Sequence, residues 1–190
     1  MKKTLLIITA VIGIGSAILF LGNKADTTTS VTENKNPPIS PFEKGGLKGD
    51  LEIKKYVPDV IVKDLEGKDI ELKTLVNGKL TLLVFWATWC PSCCREVIEM
   101  EQYLKKYKDK GLSIIAFSVD KDVDDVIKFK KEKNLTSEVL MSNDELIAAY
   151  GGMRSIPVTF LLEHDGQIKN KIIGFNPKIE EEIKKYLGIE

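Results

Sequence analysis

An α/β fold with a mixed central sheet is predicted by three features of this 190-residue sequence. Two continuous apolar runs, Leu80 to Ala87 (LTLLVFWA) and Leu112 to Val119 (LSIIAFSV), read as strands buried on both faces of a sheet. Segments with helical spacing alternate with these and later apolar runs. A terminal hairpin and helix follow, so the sheet is mixed rather than wholly parallel. The composition, 43% hydrophobic and 29% charged, is that of a globular protein and excludes a disordered or collagen-like chain. The 28 basic residues are matched by 28 acidic ones, which argues against nucleic acid as a partner.

The chain divides into residues 1–23, a membrane anchor or signal peptide, 24–55, a flexible linker, and 56–190, the folded domain. Lys2 and Lys3 precede 20 uncharged residues, Thr4 to Asn23. As a helix this run is about 30 Å long, enough for a bilayer core. The two lysines keep the N-terminus cytoplasmic and send the remainder across the membrane. An uncleaved anchor is favoured over a cleaved signal peptide, because the run is long and Asn23-Lys24-Ala25 is a poor cleavage site. Either reading places the domain outside the cytoplasm. The following stretch carries Pro37, Pro38, Pro41, Gly45, Gly46 and Gly49 among polar residues and cannot bury a core.

Within the domain, Val60 to Val62 and Ile70 to Leu72 flank Asp64-Leu65-Glu66-Gly67 and predict a hairpin. After the first buried run, Val97, Met100, Tyr103, Leu104 and Tyr107 recur at helical spacing from Cys93 to Lys110, and Gly111 ends the helix. Asp122 is the expected N-cap of a helix reaching about Lys133. Val139-Leu140 is a short strand. Asn143 caps a helix ending at Tyr150, before Gly151-Gly152. Val158 to Leu162 turns through Glu163-His164-Asp165-Gly166 into Gln167 to Ile173. Pro177 is expected at the first position of the last helix, with Gly188 after its end.

Cys90, Cys93 and Cys94 are the only cysteines, and their clustering suggests chemistry rather than stapling. The first two form a CxxC where a buried strand passes into a helix. With Pro91 at the first helical position, Cys90 becomes the N-cap, facing unpaired N–H groups and a partial positive charge. That environment favours thiolate, the nucleophilic form. Cys93 lies on the same helix face, close enough for a disulfide after modest adjustment. The pattern fits attack by an exposed Cys90 on a substrate disulfide and resolution by a shielded Cys93. A zinc knuckle would need a second ligand pair, and only Cys94 and His164 remain, so neither metal nor cofactor is expected. His164 reads as a surface residue in a turn, Trp86 as core, and the Asn134-Leu135-Thr136 sequon as a pattern common by chance.

The segment WATWCPSCCRE resembles the active-site segment of the thioredoxin superfamily, most closely its membrane-tethered TlpA/ResA-like thiol–disulfide oxidoreductases. The similarity runs from about Tyr56 to the C-terminus. It implies a thioredoxin-like three-layer sandwich with a mixed central sheet, an N-terminal hairpin and a central helix–strand insertion. It also implies a cis-proline facing the CxxC. Pro157, within Ser155-Ile156-Pro157-Val158-Thr159, occupies that place and would leave the Ile156 backbone open for pairing with a substrate peptide. Trp89, Pro91, Ile156 and Pro157 are the expected substrate-binding residues, beside Cys90, Cys93 and Glu96 as catalytic ones. Glu96 matches a glutamate of the ResA-like branch, three residues after the second Cys. A partly buried carboxylate there would raise thiol pKa values and exchange protons.

Two positions depart from related patterns. Thioredoxins carry a buried Asp six residues before the first Cys, where this chain has Val84. Cys94 stands where the family commonly has Lys or Arg; being i+4 from Cys90, it could reach that sulfur. The resemblance implies a reductant of protein disulfides, with apocytochrome c haem-site cysteines as substrates and a membrane thiol-reducing transporter as electron source. A monomer is expected. One alternative is a peroxiredoxin-like thiol peroxidase, although its PxxxTxxC pattern meets Leu83 and Ala87 here. The other is a non-catalytic binding or chaperone module with a structural CxxC.

Overall fold

The computed structural model describes residues 55–76 and 78–189. The anchor and nearly all of the linker inferred above lie outside these residues. Among those described, no helix is long and apolar enough to cross a membrane.

The chain folds as β1 (Ile61–Asp64), β2 (Asp69–Glu71), α1 (Leu72–Val76), β3 (Leu80–Trp86), α2 (Pro91–Tyr107), β4 (Leu112–Ser118), α3 (Val123–Lys133), β5 (Glu138–Met141), α4 (Asp144–Ala149), β6 (Val158–Leu162), β7 (Ile168–Ile173) and α5 (Ile179–Leu187). The strands form one mixed sheet in the order β2-β1-β5-β4-β3-β6-β7. β3 pairs in parallel with β4 and antiparallel with β6, so both its edges are occupied. All seven of its residues are buried, as its unbroken apolar sequence requires.

Alternation along β3 divides the core into two layers. Leu80, Leu82, Val84 and Trp86 pack with Val97, Met100 and Tyr103 of α2, Val126 of α3, and Ile179 and Ile183 of α5. Leu83 and Phe85 face the opposite side, where Leu72 and Val76 of α1 and Leu146 of α4 cover them beside Tyr150. The result is the expected three-layer sandwich, with β1–β2 as the N-terminal hairpin and α3–β5 as the inserted helix–strand unit. Lys55 O accepts the Ile168 N–H at 2.9 Å, so the chain meets the sheet just before the hairpin.

Local signals act where expected at three helix starts. Cys90, Asp122 and Asn143 each cap the next helix through a side-chain acceptor. At the β6–β7 turn, Gly166 has φ +79, and an added Cβ would lie 2.8 Å from Val57 Cγ1. Only glycine fits both the backbone angle and the space.

Two elements differ from the sequence reading. Leu72 begins the short helix α1 instead of ending the second strand: Leu72 N–H bonds to Val60 O and the chain turns to bury Leu72 and Val76. Pro177 does not open the last helix. Asn176 Oδ1 accepts the Lys178 N–H at 2.9 Å, forming a local turn that delays the helix to Ile179.

Candidate active site

α2 starts at Pro91, and Cys90 is its N-cap in extended backbone geometry, φ −102 and ψ 105. Cys93 N–H points at Cys90 Sγ, 3.3 Å away. This is the arrangement that places an unpaired helix N–H and the positive end of the helix dipole at the sulfur. Cys90 and Cys93 are disulfide-bonded, with Cα atoms 5.2 Å apart. Cys93 is fully buried. Cys90 is only 8% exposed, which corrects the expectation of an open sulfur. It is tied to Cys93 and lies 3.4 Å from Ser92 Oγ, leaving a small accessible face.

The surrounding loops bring the other expected residues to the same end of the sheet. Trp89 and Ile156 are half-buried against the core that contains both cysteines, and Pro91 is exposed. The Ile156–Pro157 peptide is cis. Val158 pairs with Phe85, which sets Pro157 level with Trp86 at the end of β3 that leads to the CxxC. Ladder pairing of β6 begins at Val158, so Ile156 stands outside it. Pro157 O accepts the Gly174 N–H at 2.8 Å, anchoring the loop to the end of β7.

Glu96 is 2% exposed, one helical turn after Cys93. Thr159 Oγ1 donates to Glu96 Oε1 at 2.6 Å, and Oε2 is buried with no partner among the described residues. Burial pushes the Glu96 carboxyl up to about 7; the Thr159 hydrogen bond opposes this, and the charge of Glu99 adds to it. A carboxyl with this midpoint can hold or release a proton at neutral pH.

Cys94 does not turn toward Cys90. Its S–H donates to Thr88 O, with Sγ at 3.2 Å, and Ala87 O lies at 3.7 Å. Burial, reinforced by Asp120, raises the thiol's pKa, with Lys133 pulling the other way. The i+4 spacing allowed contact with Cys90, but the side chain leans toward the loop preceding its own helix. Trp86 is a core residue whose ring lies tilted against Phe129, 5.0 Å between ring centres, and His164 is exposed. Among the described residues, no cluster of three His, Cys, Asp or Glu is placed to hold a metal.

Three polar residues around the site escaped the sequence reading: Thr159, Asp120 and Thr88. Thr159 is the lone hydroxyl in the apolar run VTFLL, on the strand face toward α2. Asp120 directly follows the buried strand β4. A polar residue inside one apolar run and another just after a second are the available signals for Thr159 and Asp120; Thr88 carried none.

Residues 53–171 match the model of the AhpC/TSA family. The chain is 39% identical to the thiol-disulfide oxidoreductase ResA of Bacillus cereus over 137 residues, covering 72% of this chain and 78% of that protein. It is 36% identical to the ResA of Geobacillus thermodenitrificans over 131 residues, covering 68% and 73%. Among solved structures it resembles a thioredoxin-family thiol:disulfide interchange protein of Chlorobium tepidum, with TM-score 0.64, 27% identity, and coverage of 70% of this chain and 97% of that one. StoA of Bacillus subtilis aligns with TM-score 0.55 and 27% identity, covering 68% and 98%. A CxxC at a helix start on a thioredoxin-like sheet, with this extent of similarity, means that the chain belongs to the TlpA/ResA-like thiol–disulfide oxidoreductases and is a protein disulfide oxidoreductase.

Proposed function

We propose that this oxidoreductase works outside the cytoplasm, tethered by residues 1–23, as a reductant of protein disulfides. The observation that carries the reading is the Cys90–Cys93 pair at the first turn of α2, with a helix N–H aimed at Cys90 Sγ. In the reduced protein the Cys90 thiolate attacks one sulfur of a substrate disulfide. A mixed disulfide forms and the other substrate sulfur leaves as a thiolate that takes a proton from solvent. Cys93 then gives its proton to the Glu96 carboxylate and attacks Cys90 Sγ. The second substrate thiol departs, and the protein is left as the Cys90–Cys93 disulfide, two electrons poorer.

Burial of Glu96 supports the reductive direction. A buried carboxylate beside the pair disfavours thiolate, which destabilises the reduced state and makes it the better electron donor. Ile156 lies outside the β6 ladder and offers backbone for pairing with an extended substrate, and Trp89 packs against the cluster that holds Cys90 and Cys93. Substrates of the apocytochrome c type, with two cysteines in a Cys-x-x-Cys-His peptide, suit such a strand-like mode. A membrane thiol-reducing transporter would restore the dithiol, and the protein acts as a monomer.

A second reading, a thiol peroxidase, draws on the match to the AhpC/TSA family. The fully buried Leu83 and Ala87 stand where that chemistry expects Pro and Thr, so the reductase reading is preferred.

Mixing reduced full-length protein with an oxidised Cys-x-x-Cys-His peptide tests the proposal. Stoichiometric peptide thiol and Cys90–Cys93 disulfide are expected. Turnover of hydrogen peroxide without peptide reduction would favour the peroxidase instead. An alkaline wash tests the tether, since an anchored chain stays with the membrane fraction.

A further inference from the structure

We propose that Asp120 is a positioning residue for disulfide exchange: by gripping Thr88, it fixes the turn that seats the Cys90 sulfur over the start of α2. The inference rests on the reading of Cys90 as the attacking sulfur.

Ala87 to Cys90 form a tight turn, closed by the Cys90 N–H on Ala87 O at 3.2 Å. Thr88 is its second residue, and each of its polar groups is engaged. Its N–H donates to Asp120 Oδ2 at 2.9 Å and its hydroxyl to Asp120 Oδ1 at 2.7 Å. Its carbonyl accepts from the Cys94 thiol. Asp120 is itself fixed from β4: Ser118 Oγ donates to Oδ2 at 2.6 Å, and Asp120 N–H donates back to Ser118 Oγ at 3.0 Å. Ser118 is fully buried and pairs with Trp86 across the β3–β4 ladder. The grip therefore joins the rigid centre of the sheet to the loop that carries Trp89 and Cys90.

Asp120 is 7% exposed and forms no ion pair among the described residues. A buried carboxylate without a cation is costly unless its oxygens are hydrogen-bonded, and three donors converge on it here. The thiol of Cys94 completes the same clamp from α2. Its place in the molecule is thus to hold Thr88 rather than to serve as a third redox centre.

The grip matters most in the reduced state. In the disulfide, the bond to Cys93 holds Cys90 in place whatever the turn does. Once that bond is cut, the turn is what keeps Cys90 Sγ over the Cys93 N–H, where the thiolate is stabilised. Loosening the turn should then destabilise the thiolate more than the disulfide.

The test uses full-length Thr88→Val, Thr88→Ser and Asp120→Asn proteins beside wild type. Thr88→Val keeps the side-chain shape and removes the hydroxyl; Thr88→Ser keeps the hydroxyl. Alkylation of reduced Cys90 below its thiol pKa, localised by peptide fragmentation so that Cys94 is counted separately, should slow by about threefold in Thr88→Val, as half a unit of thiol pKa would give. Measured above the pKa of the thiol, where the thiolate is the populated reduced form, the equilibrium against glutathione should move toward the disulfide by a similar factor. Asp120→Asn should shift both measurements the same way, and Thr88→Ser should restore them. A purely structural role would lower the unfolding temperature while leaving both unchanged, which would overturn the proposal, as would Thr88→Ser behaving like Thr88→Val. Wild-type Cys90 that exchanges with no disulfide would overturn the underlying reading and the proposal with it.

Discussion

Thr159 on β6 and Glu96 on α2 are joined by a 2.6 Å hydrogen bond, one helical turn beyond Cys93 and two residues beyond Pro157. The contact brings the strand that follows the cis-proline loop and the helix that carries the cysteines onto one buried carboxyl. Its acid–base properties therefore report on both sides of the site.

Glu96 gives the fold a specific pH dependence. Its native-state midpoint of about 7 lies above the ordinary 4.5, so the native state prefers the protonated carboxyl. That preference contributes fully below pH 4.5 and is lost as pH rises to about 7. Glu96→Gln mimics the protonated form. Its unfolding free energy should match wild type near pH 4 and exceed it above neutrality by on the order of 3 kcal/mol. Urea unfolding at several pH values measures this; a pH-independent difference would contradict it.

The same substitution should act on the thiols. Without a carboxylate beside the pair, the apparent pKa of the reactive thiol should fall and the protein should become less reducing. Each unit of thiol pKa corresponds to roughly 30 mV for a two-electron couple. Alkylation against pH and a glutathione titration would show the two shifts together.

Thr159→Val removes the group that restrains Glu96. The Thr159 hydrogen bond lowers the carboxyl's pKa against the larger effect of burial. Its loss should raise the Glu96 midpoint above about 7, read as a shift of the stability profile toward higher pH. A shift toward lower pH would show that the hydroxyl favours the protonated form.

Much of this site was legible in the sequence because its parts are local. Cys90, Pro91 and Cys93 sit within one helical turn, so the proline marks the N-cap and the spacing permits the disulfide. The apolar run at β3 has one structural solution, a central strand, and the alternation of its two faces follows. What stayed hidden depends on contacts distant in sequence. Thr159 meets Glu96 from 63 residues away and Asp120 meets Thr88 from 32, distances at which no periodicity operates. The short α1 escaped because Leu72-Lys73-Thr74-Leu75-Val76 suits strand as well as helix, and tertiary burial of Leu72 and Val76 decided it.

Glu101 ties the same helix to the insertion. Its buried carboxylate accepts the Thr136 hydroxyl and the Ser137 N–H, and these bonds outweigh burial to hold its pKa below the usual value. A depressed native pKa means stability that is present at neutral pH and lost on acidification. Glu101→Ala should cost about 2–4 kcal/mol at pH 7, from two hydrogen bonds to a charged group and the buried donors left unpaired. The loss should shrink at low pH, as measured by thermal or urea unfolding.

The order of attack can be read from trapped intermediates. Cys93→Ser should accumulate a mixed disulfide with substrate through Cys90, because the resolving thiol is gone. Cys90→Ser should accumulate none, since Cys93 is fully buried and Cys94 has its thiol turned to Thr88 O. Peptide mapping of the adduct checks both, and an adduct on Cys94 in wild-type protein would contradict the assignment.

The most direct test of the central claim is a redox titration of the full-length protein against glutathione and dithiothreitol buffers, with the Cys90–Cys93 state followed by alkylation and mass. A reversible two-electron transition is expected at low potential, nearer the roughly −270 mV of a thioredoxin than the roughly −120 mV of a strong periplasmic oxidant. A pair that stays oxidised in excess dithiothreitol, or a midpoint close to that of the strong oxidant, would contradict it.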